Sequence, residues 1–145
     1  MRIRTALTLS AAILLTLTSS PASASGHIEH DHANDPEPSS RSWVCTESTS
    51  TGHACFAPQG EWFFAYDKRV DGWSPVIKWR SRTKSGTVLR EGRIWHTKGA
   101  YRYAYKNKSF DEGREVVFRL CPGTHTSSGH FIDHDRCSFP WMSET

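Results

Sequence analysis

Five short stretches of the chain resemble β-strands, and in three of them hydrophobic and polar residues alternate with the two-residue period that is typical of strands with one buried face. In the second stretch, for example, Ile77 and Trp79 fall on one side, while Lys78 and Arg80 fall on the other. Turn signals that contain glycine separate several of the stretches, and no run of 12 residues has the period of a helix. The five stretches are residues 61–67, 75–82, 87–96, 100–106 and 115–121. The pattern predicts an all-β domain, either a small antiparallel β-sandwich or a small barrel.

The first 24 residues have a different pattern, which is typical of a secretory signal peptide. Arg2 and Arg4 precede an uncharged, mostly apolar run at residues 6–18, and Ala22-Ser23-Ala24 follows as a cleavage motif. The apolar run is shorter than the ~20 residues that a membrane-spanning helix needs. We therefore expect a signal peptide at residues 1–24, cleavage after Ala24, and a secreted, extracellular protein that is free of the membrane after processing.

The next segment, residues 25–42, is rich in His, Asp, Glu, Pro and Ser and contains almost no large apolar side chain. Such a composition cannot bury enough apolar surface to offset the conformational entropy that folding removes. The sequence therefore predicts a disordered leader at residues 25–42, followed by a single β domain at residues 43–145.

Four cysteines lie in the exported part of the chain, and an even number in an oxidising compartment indicates disulfide bonds. Sequence alone allows three pairings. We favour Cys45–Cys55 and Cys121–Cys137, because each pair closes a short polar loop. A zinc site is the alternative, and the absence of any C-x-x-C motif argues against it.

Two segments of the β domain each consist of a turn followed by a strand. The first is DGWSPVIKW at residues 71–79, and the second is FDEGREVVFRLC at residues 110–121. Together they resemble a group of small secreted β proteins from actinomycetes, in which a D-G turn leads into one strand and an E-G turn leads into a final strand ending in cysteine. The resemblance implies a small extracellular β-sandwich and brings no activity with it. The chain departs from the group at residues 106–108, where Lys-Asn-Lys stands in place of a turn that often carries cysteine.

The charges are distributed unevenly along the chain. Residues 68–108 contain 12 Lys and Arg against two acids, a net charge of +10, whereas residues 25–67 have a net charge of −6. Trp and Tyr are interleaved with the cations, as in surfaces that bind polyanions. We expect one basic stripe at Lys78, Arg80 and Arg82, with Arg102 and Lys106 forming a neighbouring one. The alternatives are that these cations only keep the surface soluble, or that the acidic leader folds over them as a mask.

Two histidine-containing segments are candidates for metal binding. After cleavage at Ala24 the chain would begin Ser25-Gly26-His27, whose amine, backbone amides and imidazole suit Cu(II) or Ni(II) in a square-planar set. We expect copper to bind there in vitro, but we expect no cofactor in the protein's function. The second segment, residues 123–137, contains no metal-binding motif, and we expect it to be a polar loop closed by a disulfide.

The sequence contains no G-x-S-x-G motif and no P-loop, so no common catalytic motif indicates an enzyme. The enzyme alternative is a secreted phosphodiester hydrolase that uses His96 with Glu91 and Arg93. A further alternative is a β-sandwich inhibitor of a hydrolase that presents Trp73 or Trp95 at its contact surface. We predict instead a secreted, non-catalytic binding or interaction protein, whose partner is an anionic polymer or an extracellular protein.

Overall fold

The computed structural model describes residues 26–145, which form ten β-strands and no helix. The strands are β1 (Ile28–Ala33), β2 (Val44–Cys45), β3 (Gly52–Ala57), β4 (Trp62–Asp67), β5 (Ser74–Arg82), β6 (Val88–His96), β7 (Tyr103–Asn107), β8 (Glu115–Thr126), β9 (Gly129–Ile132) and β10 (Trp141–Glu144). The all-β class is therefore confirmed. The predicted signal peptide at residues 1–24 and the predicted amino-terminal Ser25 lie outside the described residues. Residues 26–145 include no helix that is long and apolar enough to cross a membrane.

The strands form two sheets that pack face to face as a β-sandwich. The first sheet has six strands in the order β1-β6-β5-β8-β10, with β9 paired to β8, and the second has four in the order β2-β3-β4-β7. All neighbouring strands are antiparallel except β1 and β6, which run parallel. The outer face of the six-stranded sheet, which points away from the second sheet, carries the candidate site described below.

The core lies between the sheets and follows the alternation seen in the sequence. Ile77 and Trp79 of β5 point inward and are at most 1 % exposed, whereas Lys78 points outward. The second sheet contributes Phe56 and Phe63, whose ring centroids lie 4.7 Å apart. Burying each such side chain contributes roughly 1.5–3 kcal/mol to folding. The two-residue period is therefore the direct cause of the sandwich.

Gly92 lets β6 pass close beneath the indole of Trp79. A Cβ at this position would lie 2.6 Å from Cζ2 of Trp79, so any larger residue would displace the ring. Gly92 pairs regularly with Trp79, and the irregularity in the β5–β6 register lies between Ser81 and Arg82 instead. The glycine therefore makes room for the core indole.

A second, smaller core lies on the outer face of the six-stranded sheet, beneath the β8–β9 hairpin. It contains Val76, Trp95, Cys121 and Ile132, with Cys137 packed against it. The disulfide Cys121–Cys137 fastens the loop after β9 to this core, and the disulfide Cys45–Cys55 joins β2 to β3. The pairing that we favoured from the short loops is the one that the structure has.

Much of the segment expected to be disordered is built into the sandwich. Residues 28–33 form β1, which pairs with β6 along its whole length, and Ala33 reaches the core at 1 % exposure. The chain then turns to the second sheet, where Asp35 bridges to Tyr105. The expectation of disorder therefore does not hold for residues 28–33. The argument from composition considered only the burial of apolar side chains. This segment is held instead by backbone pairing with β6 and by ion pairs.

The acidic residues of β1 form ion pairs with cations at the edge of the six-stranded sheet. Glu29 pairs with Arg90 at 2.8 Å, and Lys108 pairs with both Glu29 and Asp31 at 2.8 Å. The Lys108 side chain is only 8 % exposed, and its ammonium also lies 4.9 Å from the centroid of the Trp79 ring. The acidic segment thus neutralises a buried cation between the sheets.

Candidate anion-binding site

Three cations stand side by side on the outer face of the six-stranded sheet. Lys78 on β5 lies directly opposite Arg93 on β6 and directly opposite Arg119 on β8. Because neighbouring strands are about 4.8 Å apart, this cation row (Arg93, Lys78 and Arg119) extends about 10 Å across the sheet. All three residues are half-buried. Like charges directly opposite each other destabilise a sheet, so this arrangement calls for a compensating anion.

The rows on one side of the cation row are neutralised within the protein. Arg80 lies opposite Glu91 and binds its carboxylate at 3.0 Å, and Arg82 lies opposite Glu115 and binds its carboxylate at 2.8 Å. By contrast, no carboxylate within residues 26–145 forms an ion pair with Lys78, Arg93 or Arg119. Among these three rows of the outer face, only the cation row therefore has no ion pair with a carboxylate.

The cation row lies in a groove with a volume of about 470 Å³. Ile28 and Pro140 contribute apolar walls, and Val117 lies beside Arg80 at one side. The carboxylate that lines the groove belongs to Glu91 and is bound by Arg80. A groove of this size with cations along its floor can hold an extended anionic group.

The pKa of Lys78 reflects its burial and the cations around it. Burial lowers the pKa of Lys78, and the charges of Arg119, Arg93 and Arg80 lower it further. Each of these effects disfavours the protonated amine. An anion in the groove would offset the repulsion, so binding would be favoured by relief of this strain as well as by direct contact.

His134, in the loop after β9, caps the cation row. Its Nδ1 lies 3.2 Å from Nζ of Lys78. An ammonium group has no lone pair, so Lys78 donates the hydrogen bond and His134 accepts it as a neutral imidazole. Burial lowers the pKa of His134, and the charges of Lys78, Arg119 and Arg93 lower it further.

A second group of histidines surrounds Trp95 on the same outer face. His125 and His130 face each other across the β8–β9 hairpin, with ring centroids 4.4 Å apart, and each packs within 4.9 Å of the Trp95 ring. No set of three or more His, Cys, Asp or Glu side chains in the described part of the chain has the geometry of a metal site. These histidines therefore cover the small outer core.

The residues of the predicted basic stripes are divided between different parts of the molecule. Lys78 and Arg80 line the groove, whereas Arg82 is bound by Glu115. Arg102 precedes β7 and Lys106 lies on it, in the other sheet, where Lys106 pairs with Asp35 at 3.5 Å. The expectation that these two residues form a neighbouring stripe is therefore wrong, because β5 and β7 belong to different sheets.

The aromatic residues of the basic region do not line the groove with exposed rings. Trp79 and Trp95 are each 1 % exposed, and Tyr103 and Tyr105 belong to the other sheet. The burial of Trp95 also removes it as a contact residue for the inhibitor alternative. Trp73 is half-buried, with the guanidinium of Arg136 5.1 Å from its ring centroid.

The catalytic group considered for a hydrolase is not assembled. His96 is 2 % exposed, and its Nε2 lies 2.9 Å from the carbonyl oxygen of Arg102. Glu91 and Arg93 occupy alternate positions of β6 that face the opposite side of the sheet. The odd spacing between His96 and these two residues therefore places the imidazole on the other face of the sheet from the acid and the cation.

Of the proposed copper site, the structure describes only Gly26 and His27, both exposed, and Ser25 lies outside the described residues. Acidic residues of the leader do bind cations of the β domain, as the predicted mask requires, but these cations are not those of the cation row. Glu29 and Asp31 bind Arg90 and Lys108, and they leave the cation row open.

Sequence reasoning missed Arg119 and His134 as site residues and named Arg93 only for the hydrolase alternative. Arg119 is separated from Lys78 by 41 positions in the sequence, and only the β5–β8 pairing places the two side by side. The alternation of residues 115–121 did place Arg119 on the polar face of its strand. The order of the strands was the information that the sequence lacked.

No family model matches this sequence, and no curated protein or solved structure shows significant similarity to it.

Proposed function

We propose that this chain is a secreted, non-catalytic protein that binds an anionic polymer through the cation row. The observation that carries the proposal is the alignment of Arg93, Lys78 and Arg119 across three strands without a carboxylate partner in the described chain. Two disulfides support an extracellular location, because such bonds persist in oxidising compartments. The predicted signal peptide at residues 1–24 points the same way.

The groove favours a glycan that bears sulfate or phosphate groups over a single-stranded nucleic acid. Proteins that bind single strands generally stack the bases on accessible aromatic rings. Trp79 and Phe118, the aromatic residues that line this groove, direct their rings into the core, where each is 1 % exposed, so they cannot offer such a face. Ile28 and Pro140 can instead contact the apolar faces of sugar rings while the cations bind the anions.

The test is to measure binding of the purified protein to a sulfated polysaccharide, a teichoic-acid preparation, and single-stranded RNA over a salt series. We expect the first or second ligand to bind, with affinity that falls as salt rises. Lys78→Ala should weaken binding about tenfold, since a hydrogen bond to a charged group contributes about 1.5–3 kcal/mol. The same substitution should reduce the salt slope by about 1.

Lys98→Ala is the matched control, because it removes the same charge from an exposed loop outside the groove. It should leave the affinity nearly unchanged. Equal losses in both variants would indicate attraction by net charge alone. Preferential binding of RNA would contradict the assignment to a glycan, and cleavage of any polymer would contradict the non-catalytic assignment.

A further inference from the structure

The contact between Lys78 and His134 joins a permanent cation to a group that can become one. His134 approaches the cation row from the loop after β9, which the Cys121–Cys137 disulfide fastens to the sheet. Its side chain is exposed enough to exchange protons with solvent. The imidazole accepts a hydrogen bond from Lys78 at Nδ1. Protonation of Nδ1 would therefore break that bond.

We propose that His134 is a fourth ligand of the bound anion, and that it joins the cation row by taking up a proton when the anion binds. This inference rests on the proposed function, because it needs an anion in the groove. Once the ammonium of Lys78 donates to the anion, its hydrogen bond to Nδ1 is released. Both imidazole nitrogens can then carry protons, and the ring becomes a donor to the same anion.

The charges around His134 support the direction of this change. Burial lowers the pKa of the His134 imidazole, and the charges of Lys78 from β5, Arg119 from β8 and Arg93 from β6 lower it further. From its own loop, Asp135 favours the proton weakly, and Asp133 is engaged by Arg136 at 3.7 Å. A bound anion would favour the proton on His134, because its negative charge would offset the three cations that disfavour that proton.

His30 lies beside Arg93, at one end of the cation row, and its pKa is also lowered. It is opposite Arg93 in the β1–β6 pairing. Burial lowers the pKa of His30, the charges of Arg93, His130 and His27 lower it further, and Asp31 opposes the shift. His30 has no hydrogen bond to the cation row, so we assign the proton-linked contact to His134.

The sign of the pH dependence follows from linkage. Binding raises the pKa of His134 above its value in the free protein, so affinity increases as the pH falls through the bound-state pKa. The increase levels off below the free-state pKa. A difference of one pKa unit between the two states corresponds to about a tenfold increase in affinity.

The experiment is isothermal titration calorimetry of the full mature chain with a sulfated hexasaccharide in two buffers of different ionisation enthalpy. Sulfate esters stay ionised throughout this pH range, so any proton taken up belongs to the protein. Near neutral pH we expect uptake of a substantial fraction of one proton for each site filled, and tighter binding at pH 5.5 than at pH 8.

Three variants locate the proton. His134→Gln should keep binding but lose most of the proton uptake and most of the pH dependence. His134→Arg carries a permanent charge, so it should bind at pH 8 about as tightly as the natural protein binds at pH 5.5. His32→Gln is the matched control, because the side chain of this exposed histidine of β1 makes no hydrogen bond to the cation row, and it should behave like the natural protein.

The possible failures are distinguishable. If neither the hexasaccharide nor the teichoic-acid preparation binds at any pH, the proposed function fails. If it binds without proton uptake, or if His134→Gln takes up as many protons as the natural protein, the inference about His134 is overturned while anion binding stands.

Discussion

Arg119 is an unusual residue for the centre of a sheet, because its direct neighbour on β5 is another cation and its side chain is half-buried. Opposite charges across neighbouring strands stabilise a sheet, and like charges destabilise it by a comparable amount. The neighbouring row obeys this rule, since Arg80 faces Glu91 at 3.0 Å. The next row along does so too, since Arg82 faces Glu115 at 2.8 Å. The cation row breaks it, and such local conflicts are expected at functional or strained sites.

We therefore expect Arg119→Gln to stabilise the free protein. At low ionic strength its free energy of unfolding should rise by about 0.2–1 kcal/mol, and the gain should shrink as salt screens the repulsion. Urea denaturation at low and high salt measures this. Arg82→Gln, which removes a paired cation from the same face of β5, is the control and should destabilise. A loss of stability in Arg119→Gln would show that the row is compensated in a way that the ion pairs do not reveal.

Among the elements, β1 contributes mainly polar interactions. It covers the edge of β6 by parallel pairing and places Glu29 and Asp31 beside Lys108. Hydrogen bonds from Arg90, followed in effect by those from Lys108, lower the pKa of Glu29 to about 2 against the opposing effect of burial. The ion pairs therefore make the position of β1 sensitive to acid.

The stability contributed by Glu29 should be fully present above its unfolded pKa of 4.5 and lost as the pH falls towards its folded pKa of about 2. We expect it to amount to about 1–2 kcal/mol once solvent screening is included. Urea unfolding of the natural protein and of Glu29→Gln from about pH 5 to about pH 2 tests this window. The two stability curves should converge at low pH. Glu112→Gln, at an exposed turn, should follow the natural protein throughout.

At the scale of the whole molecule, the two disulfides have different consequences although both close short loops. Cys45–Cys55 spans 10 positions and joins two strands of the smaller sheet, and Cys121–Cys137 spans 16 and anchors the loop that carries His134. Each should contribute about 2–4 kcal/mol, mainly by restricting the unfolded chain. Only the second positions a residue of the candidate site.

Replacing Cys121 and Cys137 together by alanine should therefore lower both the stability and the anion affinity, and it should reduce proton uptake on binding. Replacing Cys45 and Cys55 together should lower the stability alone. The hexasaccharide titration, carried out well below each variant's Tm, separates the two effects. Equal affinity in both double variants would show that the loop keeps its place without the disulfide.

The fold class and five of the ten strands could be predicted from the sequence, because hydrophobic patterning is a local property of each strand. The stretches at residues 61–67, 75–82 and 115–121 correspond to β4, β5 and the first part of β8. The period also placed Lys78 and Arg80 on a polar face. Loop length favoured the observed disulfide pairing, because short loops lose little entropy on closure.

Which polar residues lie side by side depends on the tertiary structure. Arg93, Lys78 and Arg119 form a row because β5 lies between β6 and β8 in register, and Lys106 is remote because β7 joined the other sheet. Residues 28–33 form a strand because their backbone pairs with the edge of β6 and their carboxylates neutralise the buried charge of Lys108. Strand order, register and charge compensation are relations between distant segments, so no local pattern of this sequence could express them.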